Sequence, residues 1–82
     1  MRTFIAETFV PRERSDEVAV VSERLAGLDD AMPVRYVRTT FVPGDEVCFH
    51  VFEAESADDV KRVADRLGIE LDRVAEAREG FG

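Results

Sequence analysis

Residues 34–54 read VRYVRTTFVPGDEVCFHVFEA. Two runs rich in β-branched and aromatic residues, 34–42 and 46–54, flank a Pro-Gly-Asp segment at 43–45, and this arrangement is typical of two strands joined by a turn. Proline at the second turn position and glycine at the third favour a type II turn in which Gly44 takes a positive φ. The segment therefore predicts a β-hairpin.

The sequence outside the hairpin predicts one helix and one strand on each side. Each helix begins at a serine, whose hydroxyl accepts from the free N–H groups of the first turn, and ends at a glycine. The predicted elements are a strand over 3–10, a helix from Ser15 to Gly27, a helix from Ser56 to Gly68 and a strand over 73–77. Residues 79–82 are predicted to form a frayed tail.

The order β-α-β-β-α-β predicts an α+β fold of the ferredoxin-like type. In that arrangement, two helices cover one face of a four-stranded antiparallel sheet. A chain of 82 residues is the size of one domain, so we expect a single domain over 1–82.

The net charge of −7, from 18 acidic and 11 basic residues, disfavours phosphate-rich and anionic lipid partners. We therefore expect no nucleic acid and no membrane among the partners. No run approaches the roughly 18 apolar residues of a membrane span. The first apolar stretch contains Glu7 and does not resemble a signal peptide, so we expect a soluble, cytoplasmic protein.

Alternation along the hairpin predicts which side chains share a face of the sheet. The apolar set predicted to face the helices is Val37, Phe41, Val47, Phe49 and Val51. The set predicted for the uncovered face is Tyr36, Arg38, Thr40, Cys48, His50 and Phe52. This second set is too apolar for a solvated surface, so we expect a symmetric homodimer that buries it.

Four side chains of the predicted uncovered face have functional groups suited to binding or catalysis. They are Glu7, Tyr36, Arg38 and His50. A carboxylate, a phenol, a guanidinium and an imidazole on one surface suit the binding of a small polar or anionic molecule, or acid–base work. The alternative is structural, with a Glu–Arg pair and a half-buried histidine at a dimer interface.

Metal ligation has few candidate residues in this chain. Cys48 is the one cysteine and His50 the one histidine, so no disulfide forms within the chain and no thiolate-rich site is available. A divalent transition metal would need Glu7, His50 or Cys48 from two copies to meet across a two-fold axis. Alternatively, Cys48 is simply a small buried hydrophobe.

Four segments resemble a family of small bacterial proteins of unknown function that includes a nickel-binding, ferredoxin-like member. They are FIAETFVP at 4–11, VRYVRT at 34–39, FHVFEA at 49–54 and RLGIELDRV at 66–74. The resemblance implies a ferredoxin-like homodimer and, in some relatives, transition-metal binding.

The chain departs from the family pattern at the positions that would supply metal ligands. The family tends to have an aromatic residue and then a histidine at Tyr36 and Arg38, a cysteine at His50 and a histidine at Val63. Only Glu7 and His50 remain as ligand types, and Arg38 would repel a cation.

Three functions fit these observations, and the sequence indicates no particular cofactor. The first is a dimeric ligand- or metal-binding protein with its site on the uncovered sheet face. The second is a cofactor-free monooxygenase or isomerase in which His50 handles a proton while Tyr36 and Arg38 orient an oxyanion. The third is a structural interaction module.

Overall fold

The computed structural model describes residues 1–78. Its strands are β1 (Arg2–Phe9), β2 (Val34–Val42), β3 (Val47–Ala54) and β4 (Arg73–Ala77), and its helices are α1 (Asp16–Ala26) and α2 (Ala57–Leu67). Single 3₁₀ turns lie over Arg12–Arg14 and Pro43–Asp45. The predicted frayed tail over 79–82 lies outside the described residues. None of the helices within 1–78 is both long and apolar enough to span a membrane.

The four strands form one antiparallel sheet in the order β2-β3-β1-β4. Both helices pack on the same face, where Leu25 of α1 and Val60 of α2 join one buried cluster with Phe4 and Phe52 of the sheet. The predicted α+β ferredoxin-like fold is confirmed.

The second helix is capped as predicted, but the first is not. Ser56 Oγ accepts from the backbone N–H of Asp59 at 3.2 Å, and Gly68 ends α2 with φ 70°. Ser15 has helical dihedrals and makes no side-chain capping bond, so its predicted capping role is wrong. The 3₁₀ turn over Arg12–Arg14 runs directly into α1, and the N–H of Ser15 already donates to the carbonyl of Arg12 at 3.2 Å.

The predicted type II turn of the hairpin is also wrong. Residues Pro43–Asp45 form a 3₁₀ turn, and Glu46, not Gly44, takes the positive φ, at 54°. Contacts from the end of β1 hold Glu46 in this conformation. Its carbonyl accepts from the N–H of Val10 and its carboxylate from the N–H of Arg12, both at 2.8 Å.

The predicted assignment of the two sheet faces is wrong for β3 and partly wrong for β2. The side chains turned towards the helices are Tyr36, Thr39, Phe41, Cys48, His50, Phe52 and Ala54. The open face, meaning the side of the sheet turned away from both helices, carries Arg38, Thr40, Val47, Phe49 and Val51.

A β-bulge in β2 explains part of this difference. Tyr36 pairs with Phe52 and Arg38 with Val51, which leaves Val37 as the extra residue. A bulge reverses the alternation of side chains beyond it. Tyr36 and Arg38 therefore lie on opposite faces, although they are two residues apart.

Candidate functional site

A cleft of about 220 Å³ opens beside the helices at one end of the sheet. It lies between the start of α1, the end of β1, the start of β3 and the segment that follows α2. Its apolar walls are Val10, Val18, Val21 and Ile69; Cys48 and His50 form its floor; and Arg14, Glu17 and Glu70 carry the charges around it. We call this the helix-side cleft.

His50 is the one buried polar side chain within residues 1–78, with 1% of its surface exposed. Its Nδ1 lies 2.8 Å from Thr39 Oγ1, and Thr39 Oγ1 lies 2.7 Å from the Tyr36 hydroxyl. Burial lowers the pKa of His50 below its ordinary value, because charging the ring would cost solvation. The imidazole is therefore neutral at pH 7.

The second ring nitrogen of His50, Nε2, is left without a partner in the described structure. Nε2 makes no hydrogen bond to any residue in 1–78, whereas every fully buried side-chain nitrogen or oxygen in that range has a partner. Of the two ring nitrogens, Nε2 is the one without a partner in that range, and His50 is among the residues that line the helix-side cleft. The floor of a cleft with both apolar and charged walls thus contains a ring nitrogen that has no partner among residues 1–78.

Cys48 lies beside His50 on the same face of β3 and is 1% exposed. Burial raises the pKa of its thiol, so the protonated form is favoured. A protonated, buried thiol is a weak nucleophile and a poor metal ligand. Cys48 therefore supplies apolar surface to the cleft floor.

The four predicted site residues lie on two different faces. His50 and Tyr36 lie beneath the helices, while Glu7 and Arg38 lie on the open face. The prediction that all four share the open face is wrong. The alternate side chains of β3 from Cys48 to Ala54 face the helices, and Tyr36 pairs with Phe52 on the same side. Ligand binding by these residues stays a prediction.

On the open face, Glu7 forms an ion pair with Arg73 of β4, at 3.8 Å between Oε1 and Nη1. Arg38 makes no ion pair with any residue in 1–78. Apolar side chains surround these charges: Phe9 is 57% exposed, and Ile5 and Phe49 are half-buried. The open face is therefore a mixed surface with uncovered apolar area.

Sequence reasoning missed Thr39 and the helix-side residues of the cleft. Thr39 is brought opposite His50 because the bulge at Val37 shifts the pairing by one residue. The sequence of β3 did carry a signal for the covered face, because Cys48, His50, Phe52 and Ala54 form one largely apolar row of alternate residues. The walls of the cleft come from separate elements, and no local pattern links them.

The described residues do not provide a metal centre. Within 1–78, no three His, Cys, Asp or Glu side chains are grouped so as to hold a metal ion. His50 and Cys48 are neighbours, but Glu7 lies on the opposite side of the sheet from both.

Comparison with known proteins gives the family of the chain. No curated protein sequence matches it. Its fold is similar to that of a solved structure described as SCO4226 from Streptomyces coelicolor A3(2), with a TM-score of 0.80 and 19% sequence identity over 96% of this chain and 99% of that chain. That level of identity shows the fold alone. Residues 4–77 match the family described as "Nickel responsive protein SCO4226-like". Because the match spans nearly all of the described fold, the chain belongs to the SCO4226-like family of nickel responsive proteins.

Proposed function

We propose that this protein binds a small organic molecule in the helix-side cleft and acts as a homodimer through its open face. The observation that carries the binding proposal is the Nε2 atom of His50. Water in an open cleft can pair with such a nitrogen, and a ligand that displaces this water must supply a polar atom in its place. A ligand with a matching polar atom, held by apolar walls, meets that requirement.

The dimensions of the cleft limit the ligand. Its volume of about 220 Å³ is below the roughly 300 Å³ at which pockets for drug-sized ligands begin. The walls are valine and isoleucine side chains, which favour an apolar body. A molecule on the scale of one aromatic ring with one polar substituent suits both features.

The family description names nickel, but the described residues do not fit a resident nickel centre within one chain. The chain has one imidazole, and its Nδ1 is already occupied by Thr39. The neighbouring thiol is kept protonated by burial, and no third ligand is grouped with them in 1–78. A dimer formed through the open face would leave His50 and Cys48 outside the contact, because both lie on the other side of the sheet.

The open face supports the homodimer proposal. Phe9 of this face is 57% exposed, and Ile5 and Phe49 are half-buried. Burying this area in a symmetric contact removes apolar surface at about 25 cal/mol per Å².

The binding proposal is tested with a pair of tryptophan variants on α1. Val18 lines the helix-side cleft, whereas Val20, two residues along, is 51% exposed. Four probes are tested at millimolar concentration: indole, acetophenone, benzoate and benzamidine. We expect at least one of them to raise the unfolding temperature of the wild type. Val18→Trp should abolish the shift by filling the cleft, and Val20→Trp should keep it. If none of the four probes shifts the wild type, or if Val18→Trp still responds, the cleft is not the binding site.

The homodimer proposal has its own test. Phe49→Asp puts a charge at the centre of the open face, and Val20→Asp puts the same charge on the exposed side of α1. Sedimentation velocity should show dimers for the wild type and for Val20→Asp, and monomers for Phe49→Asp. A wild type that stays monomeric at millimolar concentration would rule out the dimer.

A further inference from the structure

The hydrogen bonds of Thr39 determine where the proton of the neutral His50 ring resides. The Tyr36 hydroxyl, Thr39 Oγ1 and His50 Nδ1 form a chain with steps of 2.7 and 2.8 Å. A threonine hydroxyl has one proton to donate and lone pairs to accept with. The chain therefore runs either from tyrosine to histidine or from histidine to tyrosine.

The direction from Tyr36 to His50 is favoured by the acidity of the groups. A phenol, with a pKa near 10, is a better donor than an aliphatic hydroxyl, and an imidazole lone pair is a better acceptor than a phenolic oxygen. Bonds that all run the same way also polarise and strengthen one another. Thr39 then donates to Nδ1, and the ring proton resides on Nε2, because the partner of one nitrogen sets the state of the other.

The helix-side cleft consequently presents an N–H donor from its floor. Nε2 has no acceptor among residues 1–78, and His50 lines the cleft. A ligand that brings only donors would displace water from this N–H and leave it unpaired. A ligand with an acceptor would satisfy it.

The charges around the cleft select against an anionic acceptor. Arg14 contributes one positive charge, while Glu17 and Glu70 contribute two negative ones, and the chain as a whole carries −7. The imidazole adds no positive charge, because burial keeps its pKa low. A carboxylate ligand would therefore lose solvation without gaining a net attraction.

Building on the proposed binding function, we infer that the cleft takes a neutral ligand with a hydrogen-bond acceptor, such as an aromatic carbonyl compound, received by the Nε2–H of His50. Thr39 determines this preference by holding the ring in the Nε2–H form. The same form leaves no lone pair on Nε2, so the atom facing the cleft cannot act as a general base. The enzyme hypothesis in which His50 abstracts a proton is disfavoured accordingly.

The position of the proton on the His50 ring is measured in the ligand-free protein. His50 is the one histidine of the chain, so ¹⁵N-histidine labelling of untagged protein gives a single imidazole spectrum. At pH 7.5, long-range ¹H–¹⁵N correlations should show Nε2 protonated and Nδ1 unprotonated. A spectrum with the proton on Nδ1 overturns the inference and leaves the binding proposal standing.

Ligand preference is measured with two neutral probes of similar size. Acetophenone accepts hydrogen bonds and cannot donate, whereas indole donates through its N–H. We expect acetophenone to bind the wild type at least about fivefold more tightly than indole. Bound indole would leave the Nε2–H without an acceptor, and the cost of an unpaired buried donor sets this factor. Benzoate should bind more weakly than acetophenone. Indole binding as tightly as acetophenone, or benzoate binding best, overturns the inference; failure of all probes overturns the binding proposal and the inference with it.

Three variants link the preference to Thr39. Thr39→Val removes the donor to Nδ1 and should reduce the acetophenone preference to near parity, while Thr39→Ser should restore it. Thr40→Val makes the same change one residue along, on the open face, and should leave the preference unchanged. A preference that survives Thr39→Val in a folded protein contradicts the role assigned to Thr39.

Discussion

Thr39 Oγ1 lies 2.8 Å from His50 Nδ1 across the β2–β3 pair. This contact lets a histidine occupy the covered face of the sheet beside Phe52, whose ring centroid is 6.4 Å from the imidazole. A polar side chain in a core must be hydrogen-bonded. Thr39 and Tyr36 meet that need at Nδ1, whereas Nε2 has no partner within residues 1–78.

Acid should destabilise the protein through His50. The folded state lowers the pKa of this ring below its ordinary value of 6.5, so the unfolded state takes up the proton first as the pH falls. Stability should therefore be constant above about pH 7 and fall below 6.5, with a slope of at most about 1.4 kcal/mol per pH unit.

Urea unfolding between pH 7.5 and 5 measures this slope. His50→Phe removes the titrating ring and leaves Tyr36 and Thr39 to pair with each other, so its slope should be flatter over the same range. Equal slopes for the two proteins would mean that His50 titrates alike in the folded and unfolded states.

The face assignment predicts unequal costs for two phenylalanines of β3. Phe52 is 2% exposed beneath the helices, whereas Phe49 lies on the open face and is half-buried. Phe52→Ala should cost about 3–5 kcal/mol or prevent folding, because it leaves a cavity in the core. Phe49→Ala should cost about 1–2 kcal/mol. Denaturant unfolding at low protein concentration compares them, and a larger loss for Phe49→Ala would reverse the two faces.

Two glycines should respond differently to alanine. Gly68 ends α2 with φ 70°, a conformation that costs a residue with a Cβ about 1–2 kcal/mol. Gly44 does not have a positive φ, and no atom lies within 4 Å of a Cβ added there. Gly44→Ala should therefore be neutral, or stabilising by up to about 1 kcal/mol. Thermal unfolding of both variants checks this, and equal effects would argue against the left-handed cap at Gly68.

Nickel should not bind a single chain at a preformed centre. Within 1–78, no three candidate ligands are grouped, and the neighbouring Cys48 thiol is kept protonated. Calorimetric titration with Ni²⁺ at pH 7 should show no tight site at one ion per chain. Tight binding of one ion per chain that His50→Phe abolishes would contradict this conclusion.

Much of the fold was predictable because the signals are local. Ser56 and Gly68 cap α2 as their side-chain and backbone preferences require, and the alternating runs on either side of Pro43 form the hairpin. The failures arise where a distant contact overrides a local preference. Glu46 takes the positive φ because Val10 and Arg12 hydrogen-bond to it.

The sequence identified a candidate site residue by its chemical type but did not predict where it lies in the fold. His50 was identified from its chemistry, but apolar alternation put it on the wrong face, because Val47, Phe49 and Val51 are more apolar than the row that is buried. On a regular strand Tyr36 and Thr39, three residues apart, would point to opposite faces. The bulge at Val37 brings them to the same face, and no residue type in the segment predicts that bulge.

The most direct test of the proposed function is methyl NMR of the protein titrated with acetophenone. We expect saturable shifts for the methyl groups of Val18, Val21 and Ile69, which line the helix-side cleft, and none for Ile5 or Val47 on the open face. Shifts confined to Ile5 and Val47, or no saturable shift at any methyl group, would contradict the assignment of the cleft as the binding site.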